Sequence, residues 1–150
     1  MRNSSADLAE KFPARERDRA QILLQMRDIE KKFNAEKFDE LTDYYDLDDP
    51  RFSVFQDFPP ATLMHKEDVL LTAKKASHEF ERVSVRFKDI NVDFFHGNIA
   101  LVTYTYRGKA LYDKKDVRVN SRGSLLMQRK NHRWLVVHEH TSFATTLATR

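Results

Sequence analysis

The sequence predicts an α+β fold: a cone-shaped, curved antiparallel sheet with three N-terminal helices packed on its concave face. Three observations carry that expectation. Every helical periodicity lies before residue 81, and every long alternating segment lies after it. The alternating segments are joined by short polar turns, as in a meander, and long strands joined this way twist and curl. The last segment, Trp134-Leu135-Val136-Val137-His138-Glu139-His140-Thr141-Ser142, alternates without a break, and both of its faces begin apolar and end polar. Such a strand is covered on both sides and runs from a core toward a cavity mouth or an interface.

Taken in order, residues 1–11 read as a frayed lead-in, and Pro13 suits the first turn of a helix. Ile22, Met26, Ile29 and Phe33 then recur at spacings of 4, 3 and 4, one apolar stripe on an otherwise charged helix. Asn34 is placed as the cap of a second helix, Ala35 to Tyr45, with Phe38, Leu41 and Tyr45 inward; one continuous helix is the competing reading. Pro50 ends it, because the residue before a proline avoids the α region. Phe52 to Gln56 is a short strand, and Asp57-Phe58-Pro59-Pro60 a turn or extended segment. A third helix, Lys66 to Phe80, puts Val69, Ala73, Ala76 and Phe80 inward, with Glu67 and Asp68 complementing its N-terminal dipole. Strands follow at Val83–Phe87 and Ile90–Phe95, across a possible bulge, then at Ile99–Tyr112, Val117–Arg129 and Trp134–Phe143, with turns at 96–98, 114–116 and 130–132.

Composition narrows the function classes. A chain of 150 residues is one domain with enough mass for a core. With no cysteine, disulfides and thiolate metal sites are excluded. No run of about 18 apolar residues exists to span a membrane, and Met1 to Glu10 has no apolar stretch of a signal peptide, so the cytoplasm is the expected compartment. The 26 basic residues are interleaved with 23 acidic ones and occur at most in pairs, which is a solvated mixed surface rather than a nucleic-acid groove. Eleven Phe and five Tyr imply a bulky core and an aromatic-lined pocket.

The closing segments, Arg122-Gly123-Ser124-Leu125-Leu126-Met127-Gln128-Arg129 and Trp134 to Ser142, resemble the end of a SnoaL-like domain, of the nuclear transport factor 2-like or ketosteroid isomerase-like superfamily. The Trp-x-x-x-His-x-His-x-Ser ending is also similar to the association domain of calcium/calmodulin-dependent kinase II, and Asn98-Ile99-Ala100-Leu101-Val102 resembles the strand after that family's Gly-Asp-x-Ala turn. The resemblance implies a single SnoaL-like domain over residues 1–150, ordered over about 14–143. His65 stands where the family has a glycine before the third helix, Lys130-Asn131-His132 replaces its glycine-containing last turn, and no residue matches its aspartate general base.

Several side chains are candidates for chemistry. Pairing Arg129 with Trp134 in the last hairpin sets Arg122 opposite Thr141 and Ser124 opposite Glu139, so Arg122 and Glu139 become diagonal neighbours. The resemblance to the kinase association domain implies that the face bearing Leu135, Val137, Glu139 and Thr141 lines the cone; a one-residue change in the turn would exchange the faces. On that face Glu139 is the candidate general base and Arg122 the orienting or oxyanion-binding cation; a structural ion pair is the bland alternative. Tyr104 is the candidate donor to a developing oxyanion. Tyr45, Tyr106, His65, Thr141, Val137 and Phe55 are expected to contact substrate. Asp48 or Asp49 would replace Glu139 as base if it turned inward. His138 and His140 share a face and are a weak alternative metal pair lacking an identifiable third ligand; no metal and no cofactor are expected.

Two functions follow. One is cofactor-free acid/base catalysis, an isomerase, cyclase, dehydratase or lyase, on a small apolar cyclic or aromatic substrate. The other is a non-catalytic ligand-binding or oligomerisation module. In either case an apolar convex sheet face predicts a homodimer.

Overall fold

A computed structural model describes residues 5–58 and 61–144, with residues 5–14 as backbone only. Helix α1 spans Ser5–Asn34, α2 Phe38–Leu41 and α3 Lys66–Glu79; strands are β1 Ser53–Phe55, β2 Phe80–Phe94, β3 Ile99–Tyr112, β4 Lys115–Lys130 and β5 Arg133–Phe143. The sheet order is β1-β5-β4-β3-β2. Its four long strands pair antiparallel, while short β1 joins β5 in parallel.

Helix α1 begins at Ser5, earlier than the expected start, so the lead-in assigned to residues 1–11 is helical backbone from Ser5; residues 1–4 lie outside the described residues. Ile22 and Met26 are fully buried, as their spacing predicts. The helix also covers the outer edge of β2, which ends the sheet. Arg19 Nη1 donates to Val92 O at 2.6 Å, and Arg27 Nη1 to Phe87 O at 2.9 Å. Glu30 Oε2 accepts from Phe87 N at 2.6 Å. These side chains occupy backbone groups that a neighbouring strand would otherwise take.

Asn34 is the last residue of α1 and not the cap of a second helix. Its amide does the work of a strand residue instead: Nδ2 donates to Val85 O and Oδ1 accepts from Val85 N, both at 2.8 Å. The second helix is correspondingly short. After α2 comes one 3₁₀ turn, Thr42–Tyr44, and Tyr45 is extended. The chain leaves the helix there because Tyr45 bridges to Val136 in parallel and Asp46 N donates to Val136 O at 2.8 Å.

Strand β2 continues from Val83–Phe87 into Ile90–Phe94 across a bulge, as expected, and it carries a second one: the register shifts between Glu81 and Ser84 and between Lys88 and Asn91. Arg82 and Asp89 adopt φ of 51° and 53° there, the left-handed conformation that bends a strand at a bulge. Gly108 faces the first bulge. A Cβ on it would stand 1.9 Å from Ser84 O, so only glycine allows β2 and β3 to approach this closely. The two later hairpins turn at Asp113-Lys114 and Asn131-His132, all four with positive φ, as a two-residue turn between twisted strands requires.

The third irregularity positions the site. Met127 pairs with Val136 but Leu126 pairs with His138, so Val137 is an extra residue in β5. It shifts the register by one and exchanges the faces. Trp134 and Val136 therefore share the concave side with Glu139 and Thr141, and the expected grouping of Leu135 and Val137 with Glu139 is corrected. Trp134, Phe94, Ile22 and Met26 fill one end of the concave face. The other end stays open.

Candidate active site

At that open end lies a cavity of about 160 Å³ between the sheet and the three helices. Its wall is largely apolar: Met26, Ile29 and Phe33 from α1, Phe38 and Leu41 from α2, Val69, Ala73 and Ala76 from α3, with Phe80, Phe87 and Leu125 from the sheet. Thr72 and Glu79 add polar groups from α3, and the rest converge from the loops and strands. Tyr45 follows the 3₁₀ turn, Asp57 follows β1, Tyr104 and Tyr106 come from β3, and Glu139 and Thr141 from β5. Tyr104 and Tyr106 stack at 5.8 Å between ring centroids, with Phe87 against both.

Glu139 accepts a hydrogen bond at Oε2 from the Tyr45 phenol. Burial in the apolar cavity raises the Glu139 carboxyl; the Tyr45 bond works the other way, and the negative charge of Asp57 adds to the rise, which brings the group to about 7. Burial, followed by the charge of Glu139, pushes the Tyr45 and Tyr104 phenols well above their ordinary value. Tyr106 is likewise raised, first by burial and then by Asp57.

The second polar centre is Asp57. Its Oδ2 accepts from Tyr106 Oη at 2.5 Å and Ser121 Oγ at 2.6 Å, and its Oδ1 from Thr141 Oγ1 at 3.4 Å. Asp57 N donates back to Thr141 Oγ1 at 3.0 Å. Three hydroxyl donors on one carboxyl suit an acceptor-only carboxylate. Tyr106 and Ser121 are partners across β3 and β4, so the pairing register delivers both hydroxyls to one spot.

Tyr104 differs from its neighbours. It is 6 % exposed, its ring lies against Gly123 in β4, and its hydroxyl has no hydrogen-bond partner among the described residues. A Cβ at Gly123 would fall 2.5 Å from Tyr104 Cζ, so the glycine makes room for the ring. A phenol open to the cavity can donate to a ligand oxygen or accept from a ligand N–H.

Of the residues singled out from sequence, the structure gathers Glu139, Tyr104, Tyr45, Tyr106 and Thr141 in one cavity. Four fall elsewhere. Arg122 pairs with Ser142 rather than Thr141, is exposed, and donates from Nε to Ser142 Oγ at 3.2 Å, because the bulge at Val137 moved Glu139 to the other face. Val137, the bulge residue, is buried but is not part of the cavity wall. Phe55 is 38 % exposed and lies against His138 and His140, ring centroids 6.4 and 5.4 Å away, beyond the cavity. His65 caps α3 from the surface, its N–H bonded to Asp68 Oδ2 at 3.0 Å and its Nδ1 3.1 Å from Phe52 O.

Asp48 meets Lys66 on the surface. Asp49 is buried, but it binds Arg51, Gln128 and Lys130 rather than facing the cavity. His138 Nδ1 lies 2.9 Å from Ser53 Oγ, and among the described residues no group of three or more metal-ligating side chains forms. Asp57 and Ser121 were missed. The signal for Asp57 was its place, a carboxylate just beyond a short strand, at the head of an Asp-Phe-Pro-Pro run in the sequence.

A SnoaL-like domain model matches residues 25–146, which is most of the chain. The chain belongs to the SnoaL-like domain family. Solved structures agree on the fold. A protein from Novosphingobium aromaticivorans assigned as a scytalone dehydratase superimposes with a TM-score of 0.73 at 15% identity, covering 91% of this chain and 94% of that one. A ketosteroid isomerase-like protein from Erwinia carotovora gives 0.70 at 13% identity, over 85% and 96%. The calcium/calmodulin-dependent kinase II hub homology domain of Chlamydomonas reinhardtii gives 0.64 at 15% identity, over 85% and 99%. No curated protein sequence matches this SnoaL-like domain. No helix among its described residues is long and apolar enough to cross a membrane.

Proposed function

We propose that this SnoaL-like domain is a cytoplasmic, cofactor-free acid/base enzyme acting on a small apolar cyclic or aromatic substrate. The observation that carries the reading is one pair: a Glu139 carboxyl brought to about 7 inside an apolar cavity, and beside it the unpartnered phenol of Tyr104. A carboxyl with that proton affinity is divided between acid and base forms at neutral pH, which is where proton transfer is most effective. Tyr104 supplies the hydrogen bond to whichever substrate oxygen gains charge. A cavity of about 160 Å³ is the size that holds a single ring. The dehydratase and isomerase-like names of structural neighbours agree with this chemistry.

The test is proton exchange at the α-carbon of cyclohexanone in deuterated buffer, followed by proton NMR. It requires one base and one oxyanion donor and nothing else. Wild-type protein is expected to accelerate exchange, Glu139→Gln to abolish it, and Tyr104→Phe to slow it by about 10²-fold. Exchange no faster than in buffer refutes the reading.

The alternative is an oligomerisation or ligand-binding module, in line with the hub and association domains among the neighbours. Its support is the convex face, where Phe55 and Leu126 are 38 % and 37 % exposed beside His138 and His140. We propose a homodimer through this face. Sedimentation of a monomer at micromolar concentration would remove it.

A further inference from the structure

The charges around the cavity are one-sided. Asp57, Glu79 and Glu139 line it, and among the described lining residues there is no Lys, Arg or His. Among the described residues, tyrosine, serine and threonine hydroxyls are the only donors that meet Asp57, and a single phenol meets Glu139. Buried carboxylates are ordinarily paired with a cation, because hydroxyls return only part of the lost hydration. The protein does pair other buried acids in that way: Asp49 meets Arg51 and Lys130, and Asp46 meets Lys130. Among the described residues the cavity carboxylates have no such partner.

Free acceptor atoms also face the cavity. Among the described residues Tyr104 Oη has no partner, and Glu139 and Asp57 each have an oxygen with unused acceptor capacity: Glu139 Oε1, which accepts nothing, and Asp57 Oδ1, which has only the long bond from Thr141. Glu139 and Thr141, which holds Asp57, are two apart on one face of β5, roughly 7 Å along the strand. All three residues line one cavity, so a group with several N–H donors seated in it has acceptors around it. Around it stand the rings of Tyr104, Tyr106 and Phe87, whose faces attract cations.

We propose that the ligand is a single-ring compound bearing a protonated amine, which it seats among Glu139, Asp57 and Tyr104. The proposal rests on the acid/base reading of the same cavity and deepens it. A substrate oxygen that becomes negative here meets two carboxylates and no protein cation. An ammonium carried by the substrate supplies the missing positive charge. Anionic ligands are refused on the same grounds.

The experiment measures binding of benzylamine, benzyl alcohol and benzoate to the whole chain at neutral pH, by titration calorimetry and ligand-observed NMR. These share one ring and differ in charge. Benzylamine is expected to bind at least about tenfold more tightly than the alcohol, the ratio one charge-assisted hydrogen bond supplies, and benzoate not at all. Asp57→Asn is expected to bring the amine-to-alcohol affinity ratio down toward one. Glu139→Gln is expected to lower the same ratio if the Asp57 variant fails to fold. Equal or tighter binding of the alcohol, or binding of benzoate comparable to that of the amine, overturns the proposal. Cyclohexanone exchange that persists in that case leaves the acid/base reading standing. If no ring binds and no exchange occurs, both fall.

Discussion

The phenol of Tyr45 donates to Oε2 of Glu139 across 94 residues of sequence. Tyr45 is held at that spot by its backbone, which bridges to Val136, the residue before the β5 bulge. One local irregularity thus turns Glu139 inward and brings it its partner.

The raised carboxyl has a consequence for stability. Glu139 binds its proton more tightly in the folded protein than in the unfolded chain, about 7 against 4.5. Its contribution is fully present below about pH 4.5 and is lost as pH rises through about 7. The difference is of order 3 kcal/mol. Urea unfolding at pH 5 and pH 8 should show wild-type protein less stable at the higher pH, and Glu139→Gln should flatten that slope. Asp49 acts in the opposite sense: Arg51 holds it low, so its contribution disappears in acid.

Two substitutions should move Glu139 in opposite directions. Tyr45→Phe removes a hydrogen bond to the ionised form, so the carboxyl titrates above about 7. Asp57→Asn removes a nearby negative charge, so it titrates below. Carbon-13 NMR of the Glu139 carboxyl follows both. Shifts of the same sign would contradict the cavity geometry.

Gly123→Ala is expected to displace the Tyr104 ring, since the new Cβ would lie 2.5 Å from Cζ and 2.6 Å from the hydroxyl. The ring is rigid and buried, so the cost is about 1–3 kcal/mol. Thermal melting reads the loss. Replacing Tyr104 by Leu in the same chain should restore most of it.

Asn34→Ala removes both bonds to Val85 and leaves a strand edge unpaired. The loss should be about 1–3 kcal/mol in denaturant unfolding. Ring binding should be unchanged, because Asn34 is not part of the cavity wall. A large change in binding would mean that the α1–β2 junction shapes the cavity.

Much of this molecule was present in its sequence. The stripe Ile22, Met26, Ile29 and Phe33, the apolar side of α3 and the alternation of the long strands follow from local periods of 3.6 and 2, which a linear pattern records directly. Glu139, Thr141, Tyr104 and Tyr106 could be nominated from the alternating strands that carry them, and Tyr45 as an inward residue of the second helix. The pairing of Arg122 with Glu139 could not survive, and Asp57 could not be nominated, for a shared reason. The extra residue at Val137 leaves the alternation on either side unchanged, yet it reverses the faces of β5 relative to β4. That choice is made by the backbone of Tyr45 and Asp46 docking beside Val136, a contact between distant segments. Asp57 in sequence is a turn residue, and only the convergence of Tyr106, Ser121 and Thr141 from three strands makes it a cavity carboxylate. Local patterns determined what each segment is. Long-range backbone pairing decided which way its side chains face.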